Sequence, residues 1–311
     1  MKQDKVSTPA LTAPIAALVV VLGVSAPALA SPLECQALEQ SYHATKESLA
    51  DLQVNNYLAQ ASMKGCLALA EELLKDGASV RARRREGDTA LHHAVKTPEP
   101  DVAKLLLDRG ADIEQRDLSG ATPLTLAIGA NRLRTVILLL DRGANPNAPG
   151  RAGASPLAVA AYGGNERIFG LLISRGADDN APDSTGKTAI VYAAARGFTG
   201  IVQQLLDAGV EANARYGNDL TALMWAAGHA NDVPETDGLK TVRLVLSKGA
   251  RLDDADDRGR TALMIAAELG HAAVVELLIK HGASTALRDH AGKTALDLAT
   301  NEAVRRKLIG H

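Results

Sequence analysis

A six-residue pattern, Thr/Ser-x-Leu/Ile-x-x-Ala, recurs seven times along this chain and leaves it few folds to choose from. It runs from Thr89-Ala-Leu-His-His-Ala94 through the copies that start at Thr122, Ser155, Thr188, Thr221 and Thr261 to Thr294-Ala-Leu-Asp-Leu-Ala299. The starts lie 33 residues apart, except for one interval of 40 between Thr221 and Thr261. A second pattern follows most copies at a fixed distance: an apolar run closing in glycine-alanine, as in Leu138-Leu-Leu-Asp-Arg-Gly-Ala144. The same ending at Leu73-Leu-Lys-Asp-Gly-Ala78 marks a degenerate unit that begins near Val54 and lacks the opening motif.

Each half of the pattern predicts one short helix. Threonine or serine accepts from an early backbone N–H and caps the first helix. Proline, present in two copies, suits the first helical position because no intrahelical bond is lost there. Alanines let two helices approach closely, and the later glycine supplies the left-handed conformation that ends the second helix. One such pair cannot bury its own apolar face, so neighbours must stack and share an elongated core. An aromatic content of only 3% suits that closely packed core.

These phased motifs resemble the ankyrin repeat over about residues 54–311, with the family's loop signature at Gly143-Ala-Asn-Pro-Asn-Ala148 and Gly176-Ala-Asp-Asp-Asn-Ala181. The resemblance implies an all-α solenoid of stacked helix-turn-helix units with projecting β-hairpin-like loops and a concave protein-binding face. The expected units are 54–86, 87–119, 120–152, 153–185, 186–218, 219–258, 259–291 and a partial 292–311, preceded by a capping helix over 31–53. Departures are also present. His92 alone carries the motif's usual histidine, which the resemblance assigns to hydrogen bonding between loops, and the first loop is basic, Arg81-Ala-Arg-Arg-Arg85.

The first thirty residues stand apart. Lys2 and Lys5, the apolar run Ile15–Val24 and the small-residue end Ala28-Leu-Ala30 imply a secretory signal peptide cut after Ala30. The competing reading, an uncleaved anchor, needs a span of about 20 residues, longer than this run. Leu33-Glu34-Cys35 is a poor bacterial lipidation match. Export then permits a Cys35–Cys66 disulfide holding the N-terminal helix to the first unit, against the alternative of two separately buried thiols.

Catalytic templates are missing: the sequence holds no phosphate-binding loop, nucleophile elbow or His-Glu-x-x-His helix. Two cysteines without phased histidines make no zinc site. Neighbouring His92 and His93 point about 100 degrees apart on a helix and are poor co-ligands. The acidic loop at Asp253, Asp254, Asp256 and Asp257 fits no calcium loop and reads as a solvated tip. The long interval places seven extra residues around Gly228–Gly238, either a recognition loop or a tolerated insertion, with Asp232, Glu235 and Asp237 as a minor metal candidate.

No enzyme and no cofactor is therefore expected. The net charge of −2 gives no reason to expect nucleic acid as partner, and no membrane span remains once the leader is removed. By resemblance, the partner-binding candidates are Tyr162, Lys187, Tyr192, Arg196, Tyr216, Trp225, His229 and Arg260. Lys96, Arg116, Leu118, Arg151, Leu220 and Glu268 occupy the same faces in other units, while Tyr192 and Trp225 also suit core positions. The expected role is a monomeric, non-catalytic protein-binding scaffold or adaptor in the bacterial periplasm or secreted beyond it. The alternatives are an inhibitor or immunity protein, or an accessory factor that stabilises a periplasmic enzyme.

Overall fold

The computed structural model describes residues 32–310, and the expected leader over 1–30 lies outside them. Two helices open the described chain, α1 (Pro32–Thr45) and α2 (Asp51–Lys64), so the region expected to hold one capping helix holds all of one and the start of another. Helix α2 pairs with α3 (Leu67–Lys75) as the degenerate first unit. The motif-bearing pairs follow: α4 (Ala90–Ala94) with α5 (Asp101–Asp108), α6 (Pro123–Gly129) with α7 (Leu133–Asp141), and α8 (Pro156–Gly163) with α9 (Glu166–Ser174). Next come α10 (Ala189–Ala195) with α11 (Thr199–Asp207), α12 (Ala222–Ala227) with α13 (Glu235–Ser247), and α14 (Ala262–Leu269) with α15 (Ala272–Lys280). The last pair is α16 (Ala295–Leu298) and α17 (Glu302–Ile309), so the final motif is followed by both helices of its unit in shortened form. No strand occurs among the described residues; the fold is an all-α repeat solenoid.

The motif explains the stack. Its apolar third position, filled by Leu91, Leu124, Leu157, Ile190, Leu223 and Leu263, is fully buried, and only the terminal Leu296 is half-exposed. Its alanines, from Ala94 to Ala299, are buried in every unit and bring consecutive first helices into contact. One continuous apolar cluster runs from Tyr42 to Leu308. The expected capping is found at Thr122, Ser155, Thr221, Thr261 and Thr294, whose hydroxyls accept the N–H three residues on. Two copies differ. The His92 imidazole takes up the Thr89 hydroxyl at 2.9 Å, and the buried Thr188 hydroxyl has no hydrogen-bond partner.

Between pairs the chain turns out into a finger whose tip is closed by backbone bonds, as from Asp183 N–H to Lys187 O at 2.8 Å and from Gly186 N–H to Asp183 O at 3.0 Å. Asp183 Oδ1 accepts three further donors, from Thr185 N, Thr185 Oγ1 and Lys187 N, which fixes the turn. Asp117, Asp256 and Asp289 play the same part. Where Tyr216 replaces that aspartate, Asn218 and Asp219 adopt left-handed backbone instead. Adjacent fingers are stitched by main-chain bonds, for example Gly217 N–H to Gly186 O at 3.2 Å. A Cβ on Gly217 would lie 2.3 Å from Thr185 O, so that contact requires glycine.

The sulfurs of Cys35 and Cys66 are bonded, as expected, with Cα atoms 5.5 Å apart. The bridge ties α1 to the start of α3, and Tyr42, fully buried on α1, donates its hydroxyl to Asp76 at the other end of α3 at 2.6 Å. No helix among the described residues is long and apolar enough to cross a membrane.

Candidate protein-binding face

Five of the eight candidate residues come together. Tyr162 at the end of α8, Lys187 at a finger base, Tyr192 and Arg196 on and after α10, and Trp225 on α12 line one shallow dimple with Val191 and Ala195. The repeat is what assembles them: Tyr162 and Ala195 occupy equivalent motif positions 33 residues apart, so consecutive first helices present them side by side. Tyr162 and Tyr192 meet edge to face, with ring centroids 6.0 Å apart. The Arg196 guanidinium sits 5.4 Å from the Tyr162 ring, and the Lys187 ammonium 5.6 Å from the Trp225 ring.

These side chains are sunk into the face. Lys187 is 7% exposed and Trp225 6%, while the Arg196 side chain retains 27%. Burial lowers the Lys187 pKa, with Asp183 opposing that effect. Tyr192 donates its hydroxyl to Asp183 Oδ2, and its pKa is raised first by burial and then by that bond. Burial pulls the Asp183 pKa up, but the Tyr192 hydroxyl and then the donors of its turn outweigh it and hold the carboxyl below the usual range.

The other three candidates lie elsewhere and already have local tasks. Tyr216 is buried at its finger with an unpartnered hydroxyl; burial pushes its pKa up to about 12, and the neighbouring Thr188 opposes this. Arg260 is buried in a doubly bonded ion pair with Asp256 at 2.8 Å and reaches Glu268 at 2.9 Å. His229 is buried and stacks on His271, ring centroids 4.0 Å apart. Of the further positions, Arg116 spends its guanidinium on the Gly120 and Pro149 carbonyls, whereas Leu118 stands 76% exposed at a finger tip.

Several sequence readings meet specific geometry. His92 is buried and bonds back to its own cap, accepting from Thr89 N–H at 3.1 Å through Nδ1. Its Nε2 faces the backbone at Gln115 and Ala121 without closing a hydrogen bond to the next finger. The acidic loop is largely paired: Asp254 with Arg251 at 2.9 Å, Asp256 with Arg260, and Asp253 accepting from Ser284 N–H. The insertion folds back onto the structure. Ala230 N–H donates to Ala195 O at 3.0 Å, Asp232 pairs with Arg196 at 2.9 Å, and His271 Nδ1 lies 3.0 Å from Ala227 O.

One cluster escaped the sequence reading. Glu39, His43 and Glu72 place ligand atoms within 4.8 Å of one another. The four-residue spacing of Glu39 and His43 on α1 was a visible signal, but the approach of Glu72 from α3 was not. Lys46 lies 3.2 Å from the same Glu72, so the protein's own ammonium already balances this group. A larger cleft of about 320 Å³ lies between α2 and the first finger, lined by Arg83, Arg84 and Arg85. Arg83 is committed to the Gly87 and Arg116 carbonyls and Arg84 contacts His93, which leaves it little recognition chemistry despite its size.

A family model described as ankyrin repeats (3 copies) matches residues 58–150, 157–235 and 235–309. Among curated proteins, the chain is similar to ankyrin repeat domain-containing protein 63 of Homo sapiens and of Mus musculus, each 43% identical over 53 residues. That stretch is 17% of this chain and spans only 14% of the length of either relative.

Proposed function

The chain belongs to the ankyrin-repeat family, and from that premise we propose that it is a non-catalytic scaffold or adaptor that docks another protein on the face around Tyr162, Tyr192 and Trp225. The carrying observation is the convergence of three rings and two cations from three consecutive units on one shallow dimple. Aromatic and arginine side chains dominate interface energetics, because they bury large area and make directed bonds at modest entropy cost. Tyr216, His229 and Arg260 fall outside this centre and serve the scaffold instead, through burial, ring stacking and an ion pair.

The proposed place of action is the bacterial periplasm. A leader-like N-terminus and a disulfide, a bond favoured in oxidising compartments, support that reading.

Crosslinking in cells tests the docking face. Gly163 is exposed, and a Cβ there meets nothing within 4 Å, so a photoreactive residue fits without disturbing the buried rings. Ile137, on α7, is exposed on a second helix and serves as the control position. A single envelope protein crosslinked from position 163 and not from 137 is the expected result. Equal labelling from both positions, or none from 163, would sink the assignment of this face.

A further inference from the structure

The dimple on the docking face carries an imbalance of hydrogen-bonding groups. Among its lining residues, the buried side-chain atoms left without a partner are Arg196 Nε and Trp225 Nε1, and both are donors. Lys187 adds a third source of N–H groups. Its ammonium donates to Thr185 Oγ1 at 3.1 Å and otherwise faces the Trp225 ring, and among the described residues it forms no ion pair. The one carboxylate close by, Asp183, is taken up by the Tyr192 hydroxyl and by the donors of its own turn.

A lysine only 7% exposed that makes no ion pair is a costly arrangement, and unmet buried N–H groups add to it. A group that accepts several hydrogen bonds and carries negative charge would offset both costs together. A carboxylate does so with charge-assisted bonds, which are roughly twice as strong as neutral ones. The dimple is small, about 10 Å³, so an occupant reaches it with the tip of one side chain entering from its open mouth. Val191, Ala195 and the faces of Tyr162 and Tyr192 supply apolar walls suited to the methylenes behind a side-chain carboxylate. Asp232 holds the far end of Arg196 at 2.9 Å, which leaves the Nε side of the guanidinium facing its own surroundings unpaired.

The geometry points to a subsite at Lys187, Arg196 and Trp225 that takes an aspartate or glutamate side chain of the partner protein. The inference rests on the proposed docking face and adds to it the chemistry of the anchor residue.

The test selects random peptides fused through their C-termini, so that no free terminal carboxylate competes, against the full chain. Selected sequences are then made as blocked peptides and titrated while the fluorescence of Trp225, the sole tryptophan, is followed. The expected peptides share one acidic residue at a fixed position beside apolar ones and perturb that emission saturably. Replacing the acid by its amide should weaken binding about tenfold or more. Lys187→Met should remove most of that difference, a coupling that simple loss of folding cannot imitate. Lys187→Arg should preserve it, and unchanged circular dichroism confirms that both variants are folded.

Peptides that compete with bulk introduced by Gly163→Leu, yet carry no shared acid or show additive effects with Lys187→Met, overturn the acidic anchor and leave the docking face standing. Peptides indifferent to Gly163→Leu and to Lys187→Met, or a selection that enriches nothing, overturn the face and the anchor together.

Discussion

His93 shows how one repeat position can be spent on acid sensitivity. It is buried, with Nε2 between the Asp88 carboxylate and the Arg84 guanidinium, and burial pulls its pKa down to about 4 while Asp88 resists. His92 and His229 are lowered too, again chiefly by burial, with His271 adding to the effect at His229. For such groups the unfolded chain takes up protons first as pH falls, since its histidines titrate near 6.5. Stability is therefore complete above about pH 6.5 and falls toward pH 4, by at most about 1.4 kcal/mol per pH unit for each histidine. Asp183, Asp76 and Glu72 lie below their usual values, so their loss comes lower still and leaves the upper window to the histidines. Chemical unfolding between pH 7 and 5 should show this slope, and His93→Gln should flatten it; an unchanged slope would mean that other groups carry it. At this scale the sequence placed residues on faces but did not show their depth. Lys187 and Arg196 share a face, yet only the neighbouring finger and the insertion decide that one is buried and the other half-open.

Helices and loops were more legible, because period and capping are local properties. The seven opening motifs each start a helix one residue on, and every glycine-alanine ending follows a second helix. The fate of the insertion was not legible, since it depends on contacts with units on either side. It extends α13 to thirteen residues and seats Val233 over Gly197, at the turn after α10. Gly197 has φ 69°, and a Cβ there would lie 2.7 Å from Val233 Cγ1. Gly197→Ala should thus cost about 1–3 kcal/mol, through left-handed strain and overpacking. Arg196→Gln, which removes a half-exposed ion pair with Asp232 and the cation over the Tyr162 ring, should cost about 1 kcal/mol. Denaturant midpoints of the two variants check this, and the reverse order would mean that the ion pair holds the insertion. The disulfide acts on a whole element as well. Removing it with paired Cys35→Ser and Cys66→Ser substitutions frees a loop of 31 residues, worth about 4 kcal/mol in the chain-entropy account. Amide exchange should then rise in α1 and leave α6 to α15 protected; protection lost throughout would show that α1 supports the entire stack.

Across the described residues, the packing runs from each unit to its neighbours. First helices touch the next first helix, fingers bond to the next finger, and the apolar cluster is continuous from Tyr42 to Leu308. A stack of this kind behaves as a one-dimensional array, whose stability is the sum of unit terms and interface terms. The effect of a lesion then depends on its position as well as on its size. Ile190, fully buried in α10, and Leu308, buried in α17, are both aliphatic, and truncating either to alanine removes about 2–5 kcal/mol of local packing. Trp225 lies in the unit following Ile190 and far along the chain from Leu308, so its fluorescence reports on the centre while circular dichroism reports on all helices. Ile190→Ala should lower the denaturant midpoint of both signals. Leu308→Ala should cause early loss of a small part of the circular dichroism as α16 and α17 fray, with the Trp225 midpoint held. If Leu308→Ala moved Trp225 as far as Ile190→Ala does, the interfaces would be strong enough to couple the entire solenoid into one cooperative unit. A partner docked between Tyr162 and Trp225 would then stabilise the far end as much as the site itself, whereas in the array it stabilises chiefly the units it touches.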